Sequence, residues 1–101
     1  MDSYRMPDGT IVKPDNAVKS WEEGTRWDGR NHISMATGSQ WNHQQLYKTR
    51  RGRYWLEHWS QWQGSMPYAE WISEMEAARW LILNGEELPE DLQQFRDEIE
   101  E

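Results

Sequence analysis

The chain has 101 residues, a formal net charge of -7 at pH 7 and no cysteine. This length fits one domain with one modest core, and the lack of cysteine excludes a disulfide framework and a thiolate metal site. Only 36% of the residues are hydrophobic, yet eight residues are Trp and four are Tyr. Because each such ring carries roughly 150–250 Å² of buriable area, we expect a folded domain with an aromatic core.

The acidic charge is concentrated at the C-terminus. Residues 86–101 hold eight acids and one base, whereas residues 1–85 hold ten acids and ten bases. The longest apolar run, at 80–83, is far shorter than the ~20 residues of a membrane span, and the N-terminus lacks an apolar leader. We therefore expect no membrane association and a cytoplasmic location.

The first forty residues are rich in turn signals. Two short extended pieces flank Pro7, Asp8 and Gly9 and predict a small hairpin over 4–12, because Pro presets φ and Gly accepts positive φ. Residues 14–38 mix polar side chains with glycines and isolated rings, which is typical of loop. Within that stretch only a short strand near 32–36 is predicted.

A β-hairpin is the clearest pattern in the middle of the chain. Residues 44–49 and 53–60 are predicted strands joined by a turn at 50–52, and 69–72 is a predicted third strand. Three tryptophans from 55 to 62 stand at i, i+4 and i+7, so a helix is the competing interpretation. The aromatic density and the nearby glycines favour strand.

Helices follow the strands. Ser73 and Glu76 form a capping box that predicts a helix over 74–84, ended by Gly85. Pro89 suits the first position of a second, amphipathic helix over 89–100. This order predicts an α+β fold with a small antiparallel sheet of three to five short strands and one or two C-terminal helices.

One domain is therefore predicted for residues 1–101. Its parts are a loop-rich segment over 1–40, the hairpin and third strand over 41–72, and a helical, acidic C-terminus over 73–101.

The hairpin over 47–55 combines positive charge with aromatic rings. Cations that contact phosphates beside rings that stack on bases are the chemistry of single-strand binders. An exposed turn ordinarily carries charge, however, and the acidic tail would repel a polyanion. The candidate binding residues are Tyr47, Lys48, Arg50, Arg51, Arg53, Trp55, Trp59 and Trp62.

The other aromatic and histidine residues give weaker signals. Most tryptophans are expected in the core, but rings beside Asn, Gln and His that remain exposed would suit a sugar or a peptide. A turn centred on Arg50 and Arg51 would place His43 opposite His58, without a visible third metal ligand. No sequence motif of catalysis is present. We therefore expect no enzyme activity, no metal and no cofactor.

Part of the sequence resembles a known type of protein. The strings LYKTRRGRYWLEHWSQWQG at 46–64, AEWISEMEAARWLILNG at 69–85 and LPEDL at 88–92 are similar to small uncharacterised bacterial or mobile-element proteins. These combine an LYxT-xxGR hairpin with an EAAxWL helix, and the resemblance covers 41–92. It implies the hairpin-then-helix order and a bacterial source, and it carries no activity.

These observations predict a small non-enzymatic binding module of the bacterial cytoplasm, directed to a protein partner or self-associating. One alternative is nucleic-acid binding through 47–55. A second is an acidic inhibitor whose carboxylates imitate the phosphates of a nucleic acid, and a third is an enzyme or metal protein that uses the histidines.

Overall fold

The structure is a computed structural model that describes residues 3–100. Within this range eight strands form three antiparallel sheets of four, two and two strands, which confirms the small α+β fold. The strands are β1 Tyr4–Arg5, β2 Ile11–Val12, β3 Lys19–Glu22, β4 Thr25–Trp27, β5 His32–Ser34, β6 Asn42–Lys48, β7 Tyr54–Ser60 and β8 Tyr68–Ile72. The helices are α1 Glu74–Leu83 and α2 Arg96–Ile99, with 3-10 segments at Pro14–Asn16 and Glu90–Phe95.

The main sheet has the order β3-β6-β7-β8. Its centre is the predicted hairpin, and the tryptophan-rich segment is strand β7 rather than helix. Strand β8 confirms the predicted third strand. Strand β3 adds a fourth, in a region where the sequence predicted loop.

The register of the central hairpin differs from the prediction by one residue. Gln44 pairs with His58, and His43 pairs with Trp59. The Thr49 N–H donates to the Arg53 carbonyl and closes a turn with three residues inside this pair, where Gly52 adopts a φ of 85°. The prediction that His43 faces His58 is therefore wrong, and the two imidazoles belong to opposite faces of the sheet.

One face of the main sheet carries α1 and the C-terminal segment. Leu46, Leu56 and Tyr54 lie in one buried cluster with Ala77 and Leu81 of α1. The helix begins with the predicted capping box, since Ser73 accepts from the Glu76 N–H and Glu76 accepts from the Ser73 N–H. Neither helix of the described chain combines the length and apolar character required to cross a membrane.

The opposite face is covered by the hairpin β1–β2, which was predicted over 4–12. Met6 and Val12 are buried there against Tyr47 and Trp55. Because side chains alternate along a strand, Trp55 faces this hairpin while its neighbours Tyr54 and Leu56 face the helix. The sheet is thus enclosed on both sides at its turn end.

The C-terminal segment folds differently from the predicted continuous helix. Residues Glu90–Phe95 form a 3-10 helix and only Arg96–Ile99 are α-helical. Leu88 and Leu92 are buried and Phe95 packs beside them, so the apolar stripe docks as its spacing requires. A segment this short takes its geometry from such contacts rather than from helix propensity.

The segment from 19 to 36 contains more strand than the sequence indicated. Strands β4 and β5 pair as a two-stranded ribbon, and β5 confirms the short strand predicted near 32–36. The ribbon is tied to α1 through Gly24, whose N–H donates to the Asn84 Oδ1 at 2.8 Å. This contact joins residues sixty positions apart, so the local sequence pattern did not indicate it.

Candidate binding surfaces

The eight predicted binding residues do not form one surface. Tyr47 and Trp55 are 6% and 1% exposed, so both rings are core residues and are not available to a ligand as stacking platforms. Lys48 lies on the helix-covered face, where its Nζ is 3.2 Å from the Asp91 Oδ2. The remaining residues are Arg50, Arg51 and Arg53 at the turn, and Trp59 and Trp62 at the other end of the hairpin. A seven-residue strand, about 20 Å long, separates these two groups.

Four exposed apolar side chains lie in the segments at the open end of the hairpin, and we call this set the uncharged aromatic end. It consists of Trp41, Trp62, Met66 and Tyr68, which are 40%, 59%, 82% and 56% exposed. The rings of Trp41 and Trp62 are paired with centroids 5.0 Å apart, and the Gln61 N–H donates to the Trp41 carbonyl. The exposed Trp41–Trp62 pair marks an interaction surface better than an isolated exposed ring does.

The sequence segments that form the uncharged aromatic end are free of formal charge. Residues 31–47 and 58–69 contain no Asp, Glu, Lys or Arg, although 29% of the whole chain is charged. The same two segments contain all three histidines and five of the glutamines. Depletion of charge with enrichment of Trp, Tyr and Met is the composition of a protein–protein interface core.

A cavity of about 500 Å³ opens beside the uncharged aromatic end. Its lining includes Met66 and Tyr68 of that set, and His43, His58 and Trp59 behind them. His43 stacks on Trp59 with centroids 5.7 Å apart, and His58 stacks on Tyr68 with centroids 4.4 Å apart. The cavity lining therefore includes two aromatic–imidazole stacks, one from each face of the sheet.

The proton positions of the two imidazoles follow from their neighbours. The Nδ1 of His43 is 2.6 Å from the Glu23 Oε2, and a carboxylate only accepts, so Nδ1 carries hydrogen. Glu23 also accepts from the Ser34 hydroxyl and the Gln44 N–H, which fixes its position. The Nε2 of His43 is buried without a hydrogen-bond partner among the described residues.

His58 has the opposite arrangement. The Trp80 Nε1–H donates to the Gln44 Oε1 at 2.8 Å, so the Gln44 amide nitrogen is the group that faces the His58 Nδ1 at 3.3 Å. That nitrogen donates, which leaves the His58 proton on Nε2. The His58 Nε2 lies 3.0 Å from the Glu70 Oε2, too poorly aligned to form a hydrogen bond. Each histidine is thus oriented by its surroundings, and its Nε2 is buried without a hydrogen-bond partner among the described residues.

The turn end carries a second surface, which we call the basic groove. It encloses about 620 Å³ between the β1–β2 hairpin and the β6–β7 turn. Among residues 3–100 its lining contains four cations and no acid, above a floor that includes Trp55 and Trp71. The cations are Lys13, Arg50, Arg51 and Arg53.

The four cations of the groove differ in how far they are neutralised. The Arg53 guanidinium lies 3.6 Å above the centre of the Trp71 ring, and its Nη1 is 3.4 Å from the Asp8 Oδ2. A backbone hydrogen bond from Thr10 is the main cause that lowers the pKa of Asp8 to about 2, so this carboxylate is ionised at neutral pH. Within residues 3–100, Lys13, Arg50 and Arg51 belong to no ion pair.

Several residues of these surfaces could not be identified from the sequence. Lys13 joins the groove only because the β1–β2 hairpin folds over the sheet, and Glu23 reaches His43 across twenty positions of sequence. The sequence signals for the aromatic end were the uncharged stretches around Trp41 and Met66 and the rings beside Asn, Gln and His. Within the part of the chain that the structure describes, no three His, Cys, Asp or Glu side chains meet as a metal site.

Comparison with known proteins gives no relative: no family model, no curated protein and no solved structure matches the chain. The resemblance to small bacterial proteins over 41–92 stays a prediction.

Proposed function

We propose that the chain is a non-enzymatic, protein-directed binding module that self-associates through the uncharged aromatic end. The observation that carries this proposal is the exposure of Trp41, Trp62, Met66 and Tyr68, all of them in segments that hold no formal charge. Burying exposed Trp and Met side chains is the main source of free energy in protein association.

The composition of the uncharged aromatic end favours a second copy of the chain as its binding partner. A twofold interface places like groups near each other, so it requires a surface that is complementary to itself. Rings and thioethers meet that requirement, and so do amides, because each amide carries both donors and an acceptor. Asn42 and Gln61 supply exposed amides next to Trp41. A net charge of -7 also disfavours contacts between copies wherever acids would face acids.

The expected association is weak. Four exposed apolar side chains are fewer than the roughly 20–30 residues per side of a standard stable interface. A dissociation constant in the micromolar range, on the order of -7 to -8 kcal/mol, is therefore expected.

Sedimentation velocity over a series of protein and salt concentrations tests the proposal. We expect a monomer–dimer equilibrium that strengthens as salt rises, because salt screens the repulsion between two acidic chains and leaves an apolar contact intact. A monomer at every concentration would overturn the proposal. A dimer that dissociates as salt rises would also overturn it, because the contact would then be electrostatic and would lie elsewhere.

The cytoplasm of a bacterium remains our proposed location. The lack of cysteine supports a reducing compartment, and the resemblance over 41–92 supports a bacterial source.

A further inference from the structure

The basic groove is independent of the proposed association surface, because it lies at the opposite end of the β6–β7 hairpin. Its rim concentrates four of the eleven bases of a chain that is acidic overall. Three of these cations, Lys13, Arg50 and Arg51, are exposed and form no ion pair among the described residues. Unpaired like charges repel one another, so an anion that contacts several of them at once is bound favourably.

The rim defines the charged part of such a ligand. Guanidinium groups form paired hydrogen bonds to the oxygens of a phosphate or carboxylate, and lysine adds a point charge. Two arginines and a lysine exceed what one carboxylate can neutralise, whereas a phosphate group carries up to two charges and a polyphosphate carries more. The number of free cations therefore favours phosphate.

The floor defines the other part of the ligand. Ile11, Val12 and Ala17 line the groove together with Trp55 and Trp71. Ile11 is 56% exposed at the rim, so an apolar or planar group could remove it from water. The volume of about 620 Å³ lies within the ~300–1,000 Å³ of small-molecule sites.

A long nucleic-acid strand fits this groove less well than a compact anion. Single-strand binders stack successive bases on exposed rings, but Trp55 is only 1% exposed and Arg53 covers Trp71. The acidic remainder of the chain would also repel a strand that extends beyond the groove. A compact ligand stays inside the groove, and salt at physiological concentration screens distant acids over about 8 Å.

We infer that the basic groove binds a compact organic phosphate of nucleotide size, with its phosphates at Lys13, Arg50 and Arg51 and its organic part against Ile11 and Ala17. This inference does not depend on the proposed self-association.

Isothermal titration of the full chain with ATP, inorganic phosphate and adenosine tests the inference. We expect ATP to bind more tightly than either fragment, and its affinity to fall as salt rises. The double variant Arg50→Ala/Arg51→Ala should bind ATP about tenfold or more weakly, since it loses two charge-assisted contacts. Both arginines are exposed and unpaired within residues 3–100, so the variant should keep the thermal stability of the wild type.

The matched control is Arg26→Ala/Arg30→Ala, which removes the same charge from exposed arginines of the β4–β5 ribbon and its loop. This control should bind ATP like the wild type. The inference would be overturned if ATP did not bind, or if both double variants lost the same amount of ATP affinity. It would also be overturned if inorganic phosphate bound as tightly as ATP, or if a single-stranded oligonucleotide bound through Arg50 and Arg51 while ATP did not.

Discussion

The carboxylate of Asp91 accepts a hydrogen bond of 2.7 Å from the hydroxyl of Tyr54, and this contact joins the acidic C-terminal segment to the turn end of the sheet. Lys48 donates to the same oxygen at 3.2 Å. Burial alone would raise the pKa of Asp91, but the hydrogen bonds from Tyr54 and Lys48 hold its pKa below the ordinary value. Burial and the facing carboxylate together raise the pKa of Tyr54.

A pH-dependent stability follows from the lowered pKa of Asp91. The unfolded chain binds this proton more readily, so the stabilisation is present above the ordinary pKa of 3.8 and is lost as pH falls through the folded value. Asp91→Asn should lower the free energy of unfolding by about 1 kcal/mol at pH 7 and by less near pH 3. Urea denaturation followed by Trp fluorescence measures both values.

The control for this variant is Asp97→Asn, an exposed acid in the same segment. It removes the same charge and should change the free energy of unfolding by less than about 0.5 kcal/mol. An equal decrease in the free energy of unfolding for the two variants would show that the hydrogen bond from Tyr54 to Asp91 does not stabilise the fold.

Close packing between the β3–β4 connection and the end of α1 gives a second prediction. A Cβ placed on Gly24 would lie 2.8 Å from the Asn84 carbonyl oxygen and 3.0 Å from the Met35 Sδ. Gly24→Ala should therefore destabilise the protein by about 1–3 kcal/mol, because backbone cannot yield as a flexible side chain does. Thr25→Ala, at the exposed neighbouring position, is the comparison. If both variants unfolded at the same urea concentration, the close approach would be refuted.

The packing of the N-terminal hairpin gives a third prediction. Met6 is 2% exposed and fills the space above Tyr47 and Trp55, so Met6→Ala should cost about 2–5 kcal/mol of unfolding free energy. Ile11→Ala in the same hairpin should cost far less, since Ile11 is 56% exposed. Chemical denaturation of both variants measures the difference. Similar costs would mean that the hairpin does not seal this face.

Local signals account for the features that the sequence could predict. The turn residues 50–52 between two aromatic runs marked the central hairpin, and Ser73 with Glu76 marked the start of α1. Both depend on chemistry within a few residues. The same holds for the β1–β2 hairpin, where Gly9 adopts a φ of 87°.

Non-local contacts account for what the sequence could not predict. The register of the β6–β7 hairpin depends on whether its turn has two or three residues. Gly52 adopts a left-handed conformation, and the turn has three. The burial of Tyr47 and Trp55 depended on where a hairpin forty residues earlier in the chain would fold. The eight candidate binding residues therefore divided between the core, the helix-covered face, the basic groove and the open end of the hairpin, although the sequence places them within sixteen positions.

The central claim is that the uncharged aromatic end holds two copies of the chain together, and a matched pair of tryptophan variants tests it most directly. Trp62 and Trp27 are 59% and 60% exposed, but Trp27 lies between the charged residues Arg26 and Asp28. Sedimentation equilibrium of Trp62→Ser and Trp27→Ser measures the dimer dissociation constant of each. We predict that Trp62→Ser weakens the dimer about tenfold or more and that Trp27→Ser leaves it unchanged. An unchanged dimer in Trp62→Ser, or an equal loss in both variants, would contradict the account.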